Sequence, residues 1–286
     1  MDHPLHFVSG LPRSGSTVLM NLLGQNPSLH VTPTSGLVHL ARQAIQRWPQ
    51  TKEFRAQGLD RVKPQVLKGL RGLLYGFYED QFDAGQIVFD KSRGWLQFIE
   101  PIEEILGRPV KVITMVRDVR AIVASFEKLY RMRGIDYRPP RGRASHEGSN
   151  VQDRALRLLR ANQVVGRSLA RVRDAVERCS DRLLIVPYVS FTADPRHTLA
   201  AVEGMFDLPG FDYDPDHVSQ ITHEDDNYNG MSFHTIRPKI EPPPPEAWRE
   251  VLPDGLSQQL EREYQDLNAL AAGPLIDRGH PLESRR

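Results

Sequence analysis

Residues 7–24 of the chain read Phe7-Val8-Ser9-Gly10-Leu11-Pro12-Arg13-Ser14-Gly15-Ser16-Thr17-Val18-Leu19-Met20-Asn21-Leu22-Leu23-Gly24, and this stretch decides the fold. The residues before it, from Leu5 to Val8, have the pattern of a short buried strand, and those from Gly15 onward have that of a helix. Gly10 and Gly15 allow backbone N–H groups to point inward, and the following helix adds about half a positive charge at its N-terminus. The segment therefore predicts a strand-to-helix turn that binds a phosphate or sulfate group.

The glycine spacing of this turn is that of a phosphate-binding loop, G-x-x-x-x-G-[KS]-[ST]. Nucleoside triphosphatases have a lysine directly after the second glycine, which reaches the outer phosphates. This chain has Ser16 at that position, and its cation is Arg13, inside the loop and directly after Pro12. The loop therefore predicts an anion site of a different kind. An ordinary glycine-rich turn of an α/β sheet is the alternative interpretation.

The composition is that of an ordinary soluble protein. The 286 residues are 40% hydrophobic and 26% charged, and 37 Lys and Arg residues oppose 36 Asp and Glu residues. Because the net charge is only +1, no overall field favours nucleic acid or a membrane, and we expect neither as a partner. Cys179 is the only cysteine, which excludes an intrachain disulfide and favours a reducing compartment. With no signal-like or membrane-spanning apolar run, the sequence predicts a cytoplasmic protein.

Apolar runs alternate with amphipathic stretches along the chain, a pattern typical of a parallel sheet covered by helices. The run from Pro109 to Val116 is nearly all apolar, which predicts a strand buried on both faces. We therefore expect a single α/β domain over residues 1–286, a doubly wound parallel sheet of phosphate-loop type flanked by helices. Later strands are predicted at 86–89, 109–116 and 183–186; helices at 35–48, 64–82, 95–106, 119–131, 151–179, 195–206 and 256–271; a turn at 32–36, a mobile loop at 132–149 and an irregular segment at 207–245.

Ligands of open parallel sheets bind at the carboxyl ends of the strands. The residues expected there are mostly cationic or carry hydroxyl groups: Arg13 to Thr17 after the first strand, Asp90 to Arg93 after the second, Arg117 and Asp118 after the third and Tyr188 after the fourth. Two anion sites follow from this arrangement. One is the loop, and the other is Arg117 together with Ser125, about 12 Å further along the same helix at most. Asp118 is better explained as a helix cap than as a catalyst.

These motifs resemble those of the sulfotransferases that use 3′-phosphoadenosine 5′-phosphosulfate. In that family a P-[KR]-S-G-[ST]-[ST] loop binds the 5′-phosphosulfate, and an R-x(7)-S pair at a later strand-to-helix junction binds the 3′-phosphate. Residues 12–17 match the loop, and Arg117 and Ser125 match the pair. The features most similar to the protein-tyrosine sulfotransferase branch and its bacterial relatives are the loop arginine, Lys91, Tyr188, and Ser232 followed by Arg237.

The resemblance implies an enzyme that moves a sulfuryl group from 3′-phosphoadenosine 5′-phosphosulfate to a hydroxyl or amine acceptor and releases 3′-phosphoadenosine 5′-phosphate. Sulfuryl transfer depends on in-line positioning and charge stabilisation, so cationic side chains can act without a metal. We expect Arg13, Lys91 and Ser232 to act in catalysis, and we expect no metal site. The residues expected to bind the donor are Arg13, Ser14, Gly15, Ser16, Thr17, Arg117, Ser125, Tyr188 and Arg237.

The sequence does not identify the general base or the acceptor. Residues 31–35, where the tyrosine-modifying branch has a glutamate, contain no carboxylate. A hydroxyl-bearing small molecule, saccharide or peptide is the expected acceptor, and a homodimer remains open. The arginine-rich stretch 117–143 either attracts an acidic acceptor or is partly a solvated, mobile loop. The candidates for the base are Asp90, His30, His39 and Glu79.

Two other functions fit parts of the sequence. The run Ile87-Val88-Phe89-Asp90 is similar to a metal-holding strand end, which favours a phosphate-loop nucleotide kinase, but the missing loop lysine opposes it. The missing base fits a non-catalytic protein that binds adenosine nucleotides. Magnesium-dependent ATP turnover would favour the first. Tight binding of 3′-phosphoadenosine 5′-phosphate with no sulfated acceptor would favour the second.

Overall fold

The computed structural model describes residues 3–133, 150–226 and 234–277. Its strands and longer helices follow one another in a βα pattern that begins with the loop-bearing unit. In chain order they are β1 (Leu5–Gly10), α1 (Ser16–Leu23), β2 (Leu29–Thr34), α2 (Leu37–Arg47), α3 (Lys52–Gln57), α4 (Leu59–Gly76), α5 (Glu79–Asp83), β3 (Ile87–Lys91), α6 (Ile99–Leu106), β4 (Val112–Val116), α7 (Val119–Arg133), α8 (Val151–Leu158), α9 (Val164–Arg178), β5 (Leu183–Pro187), α10 (Tyr188–Ala193), α11 (Pro195–Phe206), α12 (Asp254–Glu263), α13 (Gln265–Ala272) and β6 (Ile276–Asp277).

The strands form one six-stranded sheet in the order β2-β3-β1-β4-β5-β6. Strands β1 to β5 all run parallel to one another, and β6 is antiparallel to β5. β1 lies between β3 and β4, with Phe7 opposite both Asp90 and Val112. The chain turns to β2 and β3 on one side of β1 and to β4 and β5 on the other. The predicted α/β fold with a parallel sheet is confirmed, and the crevice expected for a ligand lies at the end of β1.

Helices cover both faces of the sheet, and each face has its own hydrophobic core. On one face Phe7 packs against Trp95, with ring centroids 4.4 Å apart. On the other face Val8 and Phe89 pack with Leu19 of α1. All residues of β4 are buried, as the apolar run predicts. Burial on both faces holds the strand ends, and therefore the site, in fixed register.

The edges of the sheet differ from the prediction. Residues 32–36, predicted as a turn, begin with the second half of strand β2, which contains Pro33. β2 is an edge strand, where a proline without an N–H group is tolerated because one side of the strand lacks a partner. The short antiparallel strand β6 was not predicted. The composition of Thr32 to Gly36 is typical of a turn, and this is why the sequence predicts a turn where the structure has the end of β2.

Three predicted helices are each divided in two. The helix predicted over 151–179 is α8 and α9, and the chain between them packs so closely that a Cβ on Gly166 would lie 2.1 Å from the backbone oxygen of Leu159. The helix predicted over 64–82 is α4 and α5, and that predicted over 256–271 is α12 and α13. The apolar periodicity alone does not reveal these breaks.

The irregular C-terminal segment is fastened to α1. The side chain of Asn21 accepts hydrogen bonds from the backbone N–H groups of Ile221 and Thr222, at 2.5 and 2.9 Å. Its amide donates to Thr222 Oγ1 at 2.9 Å. These bonds bring the residues after Thr222 to the carboxyl edge of the sheet. Most of the predicted mobile loop, and Ser232, lie outside the described residues. Within the described ranges, no helix is both long and apolar enough to cross a bilayer.

Candidate active site

The loop between β1 and α1 has the backbone conformation that its glycines predict. Gly10 and Gly15 have φ angles of 127° and 88°. A Cβ on Gly10 would lie 2.1 Å from the backbone oxygen of Met115, so the loop packs directly on the end of β4. Arg13 also has a positive φ of 60°, a strained conformation that costs on the order of 1 kcal/mol. Ser14 Oγ is buried and donates to the backbone oxygen of Leu11 at 2.6 Å, which fixes the loop from within.

The two predicted anion sites lie side by side. Arg117 Nη1 donates to the backbone oxygen of Arg13 at 2.7 Å, and its guanidinium lies 4.3 Å from the ring centroid of Tyr188. Ser125 accepts a hydrogen bond from Arg13 Nε at 3.1 Å, so here it contacts Arg13 rather than Arg117. Burial lowers the pKa of both arginines, and the charge of Arg117 lowers that of Arg13 further. The structure therefore brings Arg13, Arg117, Ser125 and Tyr188 together.

Lys91 reaches the loop from the end of β3. Its side chain is 6% exposed, and its Nζ donates to Thr17 Oγ1 at 3.2 Å. The register places Lys91 opposite Val8 of β1, close to where the loop begins. Burial lowers the pKa of Lys91, while the neighbouring Glu224 opposes that shift. Cationic groups thus approach the loop from both of its neighbouring strands.

A cavity of about 1510 Å³ opens above these groups. Its lining includes the loop, Lys91, Arg117 and Tyr188, and also the exposed Arg237. Ser9 lies in the cavity wall, and among the residues that the structure describes its buried hydroxyl has no hydrogen-bond partner. Cations, loop N–H groups and an unpaired hydroxyl form a set of donors that fits an anionic ligand.

A carboxylate that the sequence interpretation missed lies beside Lys91, although it is not itself among the residues that line the cavity. Glu224 Oε1 accepts hydrogen bonds from the backbone N–H and the hydroxyl of Thr34, both at 2.7 Å, and lies 3.4 Å from Lys91 Nζ. Its other oxygen is 3.1 Å from His234 Nε2, and His234 Nδ1 is 2.8 Å from Asp226. Burial raises the pKa of Glu224, but Lys91 and the bonds from Thr34 outweigh burial and lower it overall.

The carboxylate therefore lies beside the strand stretch 31–35, where the sequence has none. It comes from the irregular segment, so neither spacing nor periodicity could place it there. The part of the signal that could have been found is the density of acidic residues and histidines near 223–226 and 234. In the part of the chain that the structure describes, no group of three His, Cys, Asp or Glu side chains has the geometry to hold a metal ion.

Of the four base candidates drawn from the sequence, His39 lines the cavity, while Asp90, His30 and Glu79 do not. Asp90 is fully buried and accepts hydrogen bonds from Tyr78 and from Trp95, the latter at 2.7 Å. Burial raises its pKa. Glu79 is exposed on α5. Asp90 thus anchors the end of β3 between Tyr78 and Trp95.

A comparison with known protein families agrees with the parallel sheet, the glycine loop and the cationic cavity. A model described as the sulfotransferase family matches residues 4–213, and the chain therefore belongs to this family. The match covers every strand from β1 to β5 and all the predicted site residues except Ser232 and Arg237. No curated protein matches the sequence.

Solved structures of similar fold include bacterial sulfotransferases. The sulfotransferase domain from the Synechococcus PCC 7002 olefin synthase is 18% identical with a TM-score of 0.53, over 93% of this chain and 96% of that one. The sulfotransferase domain from the curacin biosynthetic pathway is 15% identical with a TM-score of 0.53, over 93% and 98%. The sulfotransferase from Alicyclobacillus acidocaldarius is 14% identical with a TM-score of 0.50, over 95% and 94%. At these identities the likeness establishes the fold.

Proposed function

We propose that this chain transfers a sulfuryl group from 3′-phosphoadenosine 5′-phosphosulfate to a hydroxyl or amine acceptor, by in-line displacement without a metal. The observation that carries the proposal is the hydrogen bond of 2.7 Å between Arg117 and the backbone oxygen of Arg13. It brings the second anion site against the phosphate-binding loop. A donor with anionic groups on both sides of one adenosine can then contact both sites at once.

The chain supplies the groups that would hold this donor. The loop from Arg13 to Thr17 would bind the 5′-phosphosulfate through backbone N–H groups and the helix N-terminus. Arg117 and Ser125 would bind the 3′-phosphate, with Tyr188 supporting the Arg117 guanidinium. Arg237, which lines the same cavity, would cover the donor from the C-terminal segment. Ser232 is proposed as a further contact on the basis of the family resemblance alone.

The donor supplies a sulfuryl group whose bond to the 5′-phosphate oxygen breaks as sulfur bonds to the acceptor oxygen. Lys91 and Arg13 would stabilise the negative charge that develops on the leaving oxygen and the transferring group. The acceptor must also lose a proton. We assign that proton to Glu224, which Thr34 orients and which lies beside Lys91. His234 and Asp226 would position Glu224 from its other side.

The experiment is transfer of labelled sulfate from the donor into extracts, followed by identification of the product. Removing the Arg117 guanidinium in Arg117→Ala should weaken binding of 3′-phosphoadenosine 5′-phosphate about 10- to 100-fold, because charge-assisted hydrogen bonds are lost. Calorimetric titration measures this. Arg196→Ala is the matched control, since Arg196 is an exposed arginine that pairs with Asp212. Equal affinities of wild type and Arg117→Ala would refute the donor site.

The structure gives no support to the nucleotide kinase alternative. Its best argument was Asp90 at a strand end, as a metal ligand. That carboxylate is fully buried and accepts hydrogen bonds from Tyr78 and Trp95. The non-catalytic alternative depended on a missing base, and Glu224 now supplies a candidate for it.

A further inference from the structure

The cavity extends past Lys91 to a group of arginines on the β3 side of the loop. Arg93 follows β3 directly, and Arg167 and Arg171 lie about one turn apart on α9. All three line the cavity, and we call them the guanidinium wall. Because β3 and β4 flank β1 on opposite sides, the wall lies across the loop from Arg117. It is therefore distinct from the proposed donor site.

The hydrogen bonds that Arg167 and Arg171 donate go to neutral groups. Arg171 donates to the side-chain oxygen of Gln97 at 2.8 Å and to the backbone oxygen of Arg93 at 3.3 Å. Arg167 donates to the backbone oxygen of Asn162 at 2.7 Å. Across 3–133, 150–226 and 234–277, none of the three forms an ion pair with a carboxylate. The charge of Glu224 acts on Arg93, but Thr34, Lys91 and His234 already surround that carboxylate.

Other arginines of the same helix have carboxylate partners. Arg173 pairs with Asp266 at 2.7 Å, and Arg178 pairs with Asp174 at 2.7 Å. The lack of a carboxylate partner is thus a feature of the guanidinium wall and not of α9 as a whole.

The electrostatics of the wall agree with this geometry. Burial, together with the charges of Arg167, Arg93 and Arg42, lowers the pKa of Arg171 to about 10. His39 lines the same cavity, and burial together with Arg42 and Arg171 lowers its pKa. Like charges held together without a counter-charge destabilise one another. An anion bound among them would relieve this repulsion.

We propose that the guanidinium wall binds an oxyanion, a phosphate or a carboxylate, that the acceptor itself carries. The acceptor class is then an anionic compound whose hydroxyl or amine lies on the Lys91 side of that oxyanion. This inference deepens the sulfotransferase function proposed above and rests on it. Donor and acceptor would lie on opposite sides of the loop, with Lys91 and Glu224 between them.

The test uses the full chain, with 3′-phosphoadenosine 5′-phosphate saturating the donor site. Phenyl phosphate, benzoate and the neutral benzyl alcohol are then titrated as probes by calorimetry. We expect phenyl phosphate or benzoate to bind at least about tenfold more tightly than benzyl alcohol. The order of the two anions distinguishes a phosphate from a carboxylate. Anions that bind no better than benzyl alcohol would overturn the proposal.

Variants locate the binding. Arg171→Gln, alone and together with Arg167→Gln, should lower the affinity for the anionic probe about tenfold or more. The affinity for 3′-phosphoadenosine 5′-phosphate should stay within about twofold in these variants. Arg173→Gln is the matched control on the same helix and should bind the probe like wild type. An equal loss in Arg173→Gln would overturn the assignment to the wall.

A local readout separates this inference from the proposed function. An anion beside Arg171 should raise the pKa of His39, and NMR titration of the His39 ring with and without phenyl phosphate measures this in the absence of donor nucleotide. If His39 responds while the nucleotide fails to bind, the wall is supported and the proposed function is contradicted. If the nucleotide binds while His39 does not respond, the wall is refuted and the proposed function stands.

Discussion

Gly15 is where the loop meets the aromatic ring that supports Arg117. Its φ is 88°, and an added Cβ would lie 2.8 Å from a carbon of the Tyr188 ring. Gly15→Ala should therefore lower the free energy of unfolding by about 1–3 kcal/mol and weaken nucleotide binding, because the backbone strain and the contact add. Urea unfolding and calorimetric titration measure the two effects.

Gly69→Ala is the control for that change. Gly69 lies inside α4, and nothing lies within 4 Å of its added Cβ. The same substitution should there raise the free energy of unfolding by about 0.5–1 kcal/mol. If Gly15→Ala behaved like Gly69→Ala, the loop would not have the packing described above.

Glu224 is the residue on which the proposed chemistry depends most directly. Glu224→Gln should lower kcat by about 10²- to 10⁴-fold while leaving the affinity for 3′-phosphoadenosine 5′-phosphate nearly unchanged, because the amide keeps the shape but cannot take a proton. Glu241→Gln is the control, since Glu241 lines the cavity and is exposed beside Lys239, away from Lys91. A fall in kcat of less than about tenfold would exclude Glu224 as the base.

The pH profile gives a second check on Glu224. Because the pKa of Glu224 lies below its ordinary value, the carboxylate is charged throughout the neutral range. The activity should therefore show no decline from Glu224 until the pH falls below about 4.3. A decline centred between about pH 5.5 and 7 would indicate a base of a different kind.

At the scale of elements, α7 and α8 are joined through one buried carboxylate. The side chain of Glu127 is 3% exposed and pairs with Arg131 at 2.8 Å and with Arg154 at 2.7 Å. Burial raises the pKa of Glu127, but hydrogen bonds from the two arginines outweigh it and lower the pKa overall. Glu127→Gln should reduce the free energy of unfolding by about 2–3 kcal/mol, because it leaves Arg154 beside a neutral amide. Urea unfolding measures the change.

The sign of the pH effect follows from the lowered pKa of Glu127. The ionised carboxylate stabilises the fold above the unfolded-state pKa of about 4.3, and this stabilisation is lost as the pH falls through the lower folded-state value. The stability difference between wild type and Glu127→Gln should therefore be full at pH 7 and shrink below about pH 4. A difference that is constant with pH would mean that packing, and not charge, is responsible.

The elements that the sequence predicts well are those with a local signal. The turn at Gly10 and Gly15 and the apolar run of β4 each have a physical requirement that only a few residue types meet. Strand β2 was missed because Pro33 is excluded from inner strands but tolerated at an edge, which the sequence does not reveal. The sequence does not predict the position of Glu224, because its segment is about 200 residues from α1 in the chain and is held there by hydrogen bonds from Ile221 and Thr222 to Asn21.

At the scale of the whole molecule, the strand order brings cationic residues that are distant in the sequence together in one crevice. Lys91 is the last residue of β3, and Arg117 directly follows β4. Because these strands lie on opposite sides of β1, each side chain reaches the loop from its own side. The guanidinium wall continues the positive region beyond Lys91. The net charge of +1 therefore conceals an uneven distribution of charge. The prediction that no overall field favours nucleic acid or a membrane concerns the molecule as a whole and not this crevice.

This arrangement predicts which nucleotides stabilise the fold. A ligand that binds only the native state adds about 2.7 kcal/mol at a concentration 100 times its dissociation constant. Because the loop and Arg117 hold separate anions, 3′-phosphoadenosine 5′-phosphate should raise the melting temperature far more than 5′-AMP or 3′-AMP at equal concentration. Thermal unfolding with each nucleotide measures this, and Arg117→Ala should reduce the response to the bisphosphate to that of 5′-AMP. If 5′-AMP and the bisphosphate stabilised wild type equally, the two anion sites would not act on one ligand, and the sulfotransferase proposal would lose its geometric basis.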